Sequence, residues 1–232
     1  MSVLAQRFTS RSAWCAAIAR TVGDGAWAAY RAGRRPVLAF SGGTTPAVYL
    51  PDLRRRAPVP WCASCLTLVD DRCVPALDRR SNEGLVKRHL AGWAPRPDGP
   101  EVVPLWRGPD GIGERRRRDA AIEAVRPLDV AVLVLGTDGH IASLFPEHPE
   151  LWHADGPTVR FRCPGDAFDR VSLTLDVLAE AKCLVVAVQG ADKWAVWERI
   201  RDGGSGSGSP LAALLRARLG GHGMAAQVLA LA

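Results

Sequence analysis

The chain opens with an Ala-rich stretch, Ser12 to Ala32, in which Trp14, Ile18, Val22 and Trp27 are distributed as on an amphipathic helix. Short apolar runs follow at Pro36–Phe40, Cys65–Val69, Val130–Leu135, Val171–Leu175, Cys183–Val188 and Gln227–Leu231. Each is too short for a helix and is bounded by turn residues, which predicts strands. Helix-like stretches lie between several of them, at Pro46–Arg56, Asn82–Gly92, Glu114–Val125 and Asp192–Arg201, and Leu211–Leu219 reads as another short amphipathic helix. Strands that are apolar throughout, rather than alternating, are buried on both faces. The pattern therefore predicts an α/β fold, a mostly parallel sheet with helices on both faces. The stretch 203–209, Gly-Gly-Ser-Gly-Ser-Gly-Ser, reads as a flexible loop inside one domain spanning 1–232.

Bulk properties narrow the class. A chain of 232 residues with 47% hydrophobic and 23% charged residues is long enough to bury a proper core and has an ordinary soluble composition. No apolar run approaches the roughly 20 residues of a transmembrane helix. The N-terminus lacks the basic-then-apolar layout of a signal peptide, so the expected setting is cytoplasmic, with no membrane partner. The net charge of +6 comes from arginine-heavy surfaces, with clusters at Arg54–Arg56 and Arg115–Arg118. No aromatic residues are interleaved with these clusters and no nucleic-acid motif accompanies them, so they read as solvated helix faces. The excess does favour an anionic substrate.

Cys15, Cys62, Cys65, Cys73, Cys163 and Cys183 show no disulfide-framework spacing. Cys62-Ala63-Ser64-Cys65 is a lone CxxC without the second pair a structural zinc site requires. Most of these thiols read as small buried residues. His140, His148 and His153 fit no standard metal spacing, so no metal is expected.

Four of the apolar runs end in clusters that carry chemistry. Ser41-Gly42-Gly43-Thr44-Thr45-Pro46 comes after Phe40, Asp70-Asp71-Arg72 after Val69, Gly136-Thr137-Asp138-Gly139-His140 after Leu135, and Gln189-Gly190-Ala191-Asp192-Lys193 after Val188. In open α/β sheets, ligands bind at the C-terminal ends of the strands. Ser41, Gly42, Gly43 and Thr44 would present backbone N–H groups at a helix N-terminus, suited to an anion or a developing oxyanion. They match neither the phosphate loop GxxxxGK[ST] nor the dinucleotide fingerprint GxGxxG. Arg72 and Lys193 are natural counter-ions for a phosphate. Asp70 would share a strand face with Arg72 and could hold it or a sugar hydroxyl. Histidine can act as a general base at neutral pH, and Asp138, two residues before His140, could orient its ring. His140 is also expected to open a helical turn leading to Pro146. With no GxSxG elbow for a serine nucleophile, the cluster suits water activated by a base, in hydrolysis or isomerisation of a small phosphorylated molecule.

On these same residues the sequence resembles the 6-phosphogluconolactonases, which form a wider group with the glucosamine-6-phosphate deaminases. Ser41 through Pro46 is similar to the family's double-glycine turn. Asp70-Asp71-Arg72-Cys73-Val74-Pro75 with Ser81-Asn82, Gly136 through Pro146, Arg170 through Leu175, and Gly190-Ala191-Asp192-Lys193 come in the family's order. Ala142-Ser143-Leu144-Phe145-Pro146 has the lactonase form, where the deaminases carry Ala-Phe-Asn-Glu-Pro. The family usually has Glu at the position of Asp71 and Gly at that of Val134. Its usual ending is missing here, where Gly223-Met224-Ala225-Ala226 stands instead.

The resemblance implies a modified Rossmann-like fold of the type shared by glucosamine-6-phosphate deaminases, ribose-5-phosphate isomerases and CoA transferases. It implies hydrolysis of 6-phospho-D-glucono-1,5-lactone to 6-phosphogluconate, the second step of the oxidative pentose phosphate pathway. His140 would be the base and Asp138 its partner. The substrate contacts would come from Ser41, Gly42, Gly43, Thr44, Asp70, Arg72, Ser143, Arg170 and Lys193. No cofactor is implied, because the lactone is already activated, and no nucleic-acid partner. A monomer or a small homo-oligomer is expected. An isomerase or deaminase on the same scaffold, or a non-catalytic sugar-phosphate-binding protein, are the competing readings.

Overall fold

A computed structural model describes residues 3–94, 97–108, 112–162, 166–203, 208–220 and 226–232. Much of the predicted Gly/Ser loop, Cys163, and Gly223-Met224-Ala225 lie outside the described residues.

Strands β1 (Leu4–Phe8), β2 (Val37–Phe40), β3 (Cys65–Leu68), β5 (Glu101–Val102), β6 (Val130–Val134), β9 (Cys183–Gln189) and β10 (Ala226–Leu231) form a seven-stranded sheet in the order β1-β10-β9-β6-β2-β3-β5. All of its pairings are parallel. The central runs, such as Val37–Phe40 and Cys65–Leu68, are buried at every position, as a sheet covered on both faces requires.

The helices are α1 (Arg11–Arg31), α2 (Thr44–Arg56), α3 (Asn82–Val86, continued by a π-turn over Lys87–Ala91), α4 (Ile112–Glu123), α5 (Leu175–Ala179), α6 (Ala191–Arg201) and α7 (Pro210–Gly220). Parallel crossovers are right-handed. The chain walks from β1 through β2 and β3 to β5 in one direction, then returns through β6 and β9 to β10 in the other. That reversal puts α1–α3 on one face and α4–α7 on the opposite one. Accordingly α1 packs on α2, and α5 on α7. The α1 helix starts at Ser10, whose hydroxyl accepts from the Ala13 N–H, and buries Trp14, Ile18 and Val22. The Trp14 indole N–H donates to the Leu229 carbonyl at 2.8 Å, which ties α1 to β10. The divergent C-terminus thus supplies an inner strand.

The second sheet departs from the expected pattern. β4 (Asp70–Arg72), β7 (Thr158–Phe161) and β8 (Arg170–Leu173) form a small antiparallel sheet in the order β4-β8-β7. The apolar run Val171–Leu175, expected to be a strand throughout, ends its strand at Leu173, and Leu175 already opens α5. The small sheet is joined to the large one where the Leu173 N–H donates to the Val69 carbonyl and the Val69 N–H to that of Phe40. It therefore stands at the C-terminal edge of the parallel strands.

The opposite edge is closed by a buried acid. Asp129 is 2% exposed and accepts from the Val37 N–H at 3.0 Å, Arg34 at 2.8 Å and Lys182 at 3.0 Å. Asp129→Ala leaves that N–H unpaired and should lower stability by about 1–3 kcal/mol. Equilibrium denaturation measures this, and because the residue is remote from the strand C-termini, kcat should be unchanged.

Candidate active site

The order in which the chain adds strands reverses between the adjacent, parallel strands β2 and β6. The loops after them diverge to opposite faces there and leave a crevice, the usual ligand site of an open α/β sheet. A cavity of about 160 Å³ lies at this point. Ser41, Gly42, Gly43 and Thr44 line it from the β2 loop, Asp70 and Arg72 from β4, His140 from the β6 loop, Arg170 from β8 and Lys193 from α6.

Ser41 joins the two strands. Its N–H donates to the Val132 carbonyl at 3.0 Å and its hydroxyl accepts from the Val134 N–H at 3.1 Å. Gly43, the residue before α2, has φ 91°, a region where other residues are strained, and no side chain caps the helix. The first-turn N–H groups of α2 therefore stay available to an anion in the cavity.

Arg72 and Arg170 are direct partners across the β4–β8 pair. Like charges so placed repel unless something between or beside them is negative. Arg170 has Asp166, whose carboxylate accepts from Nε at 2.6 Å, and its guanidinium lies 5.8 Å from the centre of the Phe145 ring. Arg72 has only neutral acceptors, Asn82 Oδ1 at 2.7 Å and the Arg80 carbonyl at 3.2 Å. Among the described residues neither Arg72 nor Lys193 has a carboxylate within ion-pair distance. Burial pushes the Lys193 ammonium down in pKa, and the nearby charge of Asp138 opposes that shift.

Of the two roles that its spacing left open for Asp70, holding Arg72 is not the one observed, and Asp70 lines the cavity. The side chain of Asn82 stands between Asp70 and Arg72. Its amide nitrogen donates to the Asp70 carbonyl at 2.8 Å and to Asp70 Oδ1 at 3.3 Å. The other oxygen of Asp70 accepts from the Ser143 hydroxyl at 2.6 Å. Ser143, expected among the substrate contacts, is fully buried behind Asp70 and does not line the cavity; its N–H is also taken, by the Ser172 hydroxyl at 3.3 Å. Asp71, in turn, anchors the start of α3 by accepting the N–H groups of Asn82 at 2.6 Å and Glu83 at 2.9 Å, as well as that of Arg72 at 2.8 Å. Burial pushes its carboxyl up to about 7, while those N–H groups favour the ionised form.

The β6 loop carries His140 and Asp138. His140 Nδ1 lies 2.5 Å from Asp138 Oδ1, whose carboxylate also accepts the His140 N–H at 3.2 Å. With Nδ1 engaged, Nε2 is the ring nitrogen left to exchange protons. The Phe145 ring packs against the imidazole at 4.9 Å between centres. The hydrogen bond to His140, against the opposing effect of partial burial, holds the Asp138 carboxyl down at about 2. The pairing thus contributes fully above the ordinary carboxylate range and is lost only as the pH falls through about 2. Asp138 itself faces a neighbouring cavity beside α6.

The helical turn expected after His140 is absent. Ile141 and Leu144 form a tight bridge, with Ala142 at φ 52°, the only non-glycine residue at positive φ among the described residues. Short polar residues flanking an apolar core segment gave no signal of this turn. Asn82, Thr45, Gly136 and Ala142 also line the cavity, and the sequence alone assigns them no role there. Asn82 was legible as the start of a helix and as part of the family-like segment, with no role at the cavity assigned to it. Among the described residues no three His, Cys, Asp or Glu side chains gather into a metal-holding group, and no helix is long and apolar enough to cross a membrane.

The family model described as glucosamine-6-phosphate isomerases/6-phosphogluconolactonase matches residues 9–221. The chain belongs to this family. A relative from Caulobacter vibrioides named 6-phosphogluconolactonase is 39% identical over 190 residues, 77% of each chain. One of the same name from Rhizobium meliloti is 35% identical over 230 residues, 93% of this chain and 95% of its own. The crystal structure of a putative 6-phosphogluconolactonase from Neisseria gonorrhoeae superposes over the whole of both chains with a TM-score of 0.81 at 24% identity. A monomeric glucosamine-6-phosphate deaminase superposes with a TM-score of 0.77 at 14% identity, covering 99% of this chain and 97% of its own. The two branches of the family thus share the fold, and the choice between their chemistries lies in the site.

Proposed function

We propose that the protein hydrolyses 6-phospho-D-glucono-1,5-lactone to 6-phosphogluconate. The observation that carries this reading is the pair Arg72 and Arg170, opposed across two strands and lining one cavity with an aspartate-held histidine. Opposed cations with Lys193 on the far wall suit a phosphate. A base whose second nitrogen is free suits activation of water. The names of the relatives agree with both.

In this mechanism Nε2 of His140 removes a proton from water as the oxygen attacks the lactone carbonyl. N–H groups of Gly42 and Gly43 stabilise the resulting oxyanion. Collapse breaks the bond between the carbonyl carbon and the ring oxygen, and the imidazolium returns its proton to the departing alkoxide, which becomes the C5 hydroxyl. The carboxylic acid product then ionises. Asp138 holds the ring and compensates the transient imidazolium. Arg72, Arg170 and Lys193 hold the phosphate. No metal or organic cofactor takes part, because the ester is already strained and activated. A doubly charged sugar phosphate does not cross membranes unaided, which supports a cytoplasmic setting.

The test is a coupled assay of lactone hydrolysis above the spontaneous rate, run beside ammonia release from glucosamine 6-phosphate. Acceleration of the first and absence of the second is the expected result. Ammonia release, or binding of 6-phosphogluconate without turnover of the lactone, would overturn the proposal.

A further inference from the structure

We infer that Asn82 is a positioning residue that aims Arg72 into the cavity while leaving its charge uncompensated for the phosphate of the substrate. The inference rests on the lactonase reading and deepens it. Asn82 is 2% exposed yet lines the cavity, and both ends of its amide are engaged. The oxygen accepts from Arg72 Nη1 at 2.7 Å and the nitrogen donates to Asp70 at 2.8 and 3.3 Å. Its backbone is fixed as well, through the bond from its N–H to Asp71 at 2.6 Å. The third wall of the cavity closes on the same side chain: a Cβ added at Gly42 would meet Asn82 Oδ1 at 1.7 Å. One amide therefore sets the spacing of the β2 loop, β4 and α3.

The chemistry of the acceptor matters as much as its place. Arg170, directly opposite, is held by a carboxylate, Asp166, which offsets its charge before any ligand arrives. An amide oxygen gives Arg72 a hydrogen bond of fixed geometry but no counter-charge. The guanidinium of Arg72, which has no carboxylate within ion-pair distance among the described residues, is then available to an incoming dianion, and the ligand offsets the desolvation of the guanidinium.

Two substitutions separate aim from charge. Asn82→Ala removes the acceptor, and Asn82→Asp keeps an oxygen for Arg72 but neutralises it and sets a second carboxylate against Asp70. Both should raise KM for the phosphorylated lactone, and weaken 6-phosphogluconate binding measured by titration calorimetry, by about tenfold or more, the scale of one hydrogen bond to a charged group. Hydrolysis of unphosphorylated glucono-1,5-lactone, and kcat for the phosphorylated one, should stay within about twofold of wild type. In an Arg72→Ala background, Asn82→Ala should add little, since both act on one contact. Equal losses on both lactones, additivity with Arg72→Ala, or an Asn82→Asp variant that binds 6-phosphogluconate as tightly as wild type would overturn the inference. If Asn82→Ala does not fold, Asn82→Ser, whose shorter side chain draws its oxygen back from Arg72, takes its place with the same criteria. A wild-type protein that neither hydrolyses the phosphorylated lactone nor prefers 6-phosphogluconate to gluconate would instead overturn the lactonase reading itself.

Discussion

His140→Ala should lower kcat for the lactone by about 10²–10⁴-fold, the usual contribution of a general base, with a much smaller change in KM. The asymmetry arises from where the side chain acts. In the proposed mechanism His140 meets the water and the carbonyl, whereas the charges proposed for the phosphate come from other elements, β4, β8 and α6. An interaction made chiefly in the transition state leaves binding nearly intact when it is removed. Residual activity should remain, because the N–H groups at the start of α2 and the phosphate contacts still position the substrate. Steady-state kinetics, corrected for spontaneous opening of the lactone, decide the matter. A variant with near-normal kcat would remove His140 from the role, and one with a large rise in KM and unchanged kcat would make it a binding residue.

The placement of His140 beside Asp138 was legible because the two are neighbours in sequence. Asp138 stands two residues away, and their contact needs only a tight turn. Lys193 and the Ser41–Thr44 loop were legible for a related reason: each comes just after a buried apolar run, so the sheet itself delivers them to one edge. The parallel sheet was read from the same runs. What escaped was the second sheet. Asp70-Asp71-Arg72 has no apolar content, and its strand exists only because Arg170–Leu173 lies alongside, a pairing across some hundred residues of sequence. Without that pairing, Arg72 and Arg170 are two unrelated arginines, and Asn82 is one residue of a helix. β1 escaped as well, since its side chains are mostly exposed and only its backbone pairs with β10. Ser143 came among the expected substrate contacts only through the resemblance of the Gly136–Pro146 segment, which carries no information on which way its side chain turns. In three dimensions the turn at Ala142 sends it inward, where it satisfies a buried carboxylate.

Gly136→Ala should abolish most activity with no change in charge and no loss of a functional group. A Cβ built at Gly136 falls 2.2 Å from His140 Nδ1 and 2.4 Å from Asp138 Oδ1, inside the one contact that orients the base. Real Cβ atoms do not approach so closely, so either the imidazole or the carboxylate must leave. The backbone cannot move aside easily, because the Gly136 N–H donates to the His140 carbonyl at 2.9 Å and the Gly136 carbonyl accepts from the Gly139 N–H at 3.2 Å. Gly136 is not at positive φ, so alanine is compatible with the local backbone and the overlap alone sets the effect. Displacing a base by about 1 Å costs on the order of 10²-fold, and a detached imidazole would lose more. The loss should fall on kcat, with KM and 6-phosphogluconate binding near wild type, because Arg72, Arg170 and Lys193 lie on other elements. A far-ultraviolet melting curve close to that of wild type would show the fold intact. Wild-type kcat in this variant would mean that the Asp138–His140 contact is dispensable, and Asp138 would then shape the turn without tuning the base.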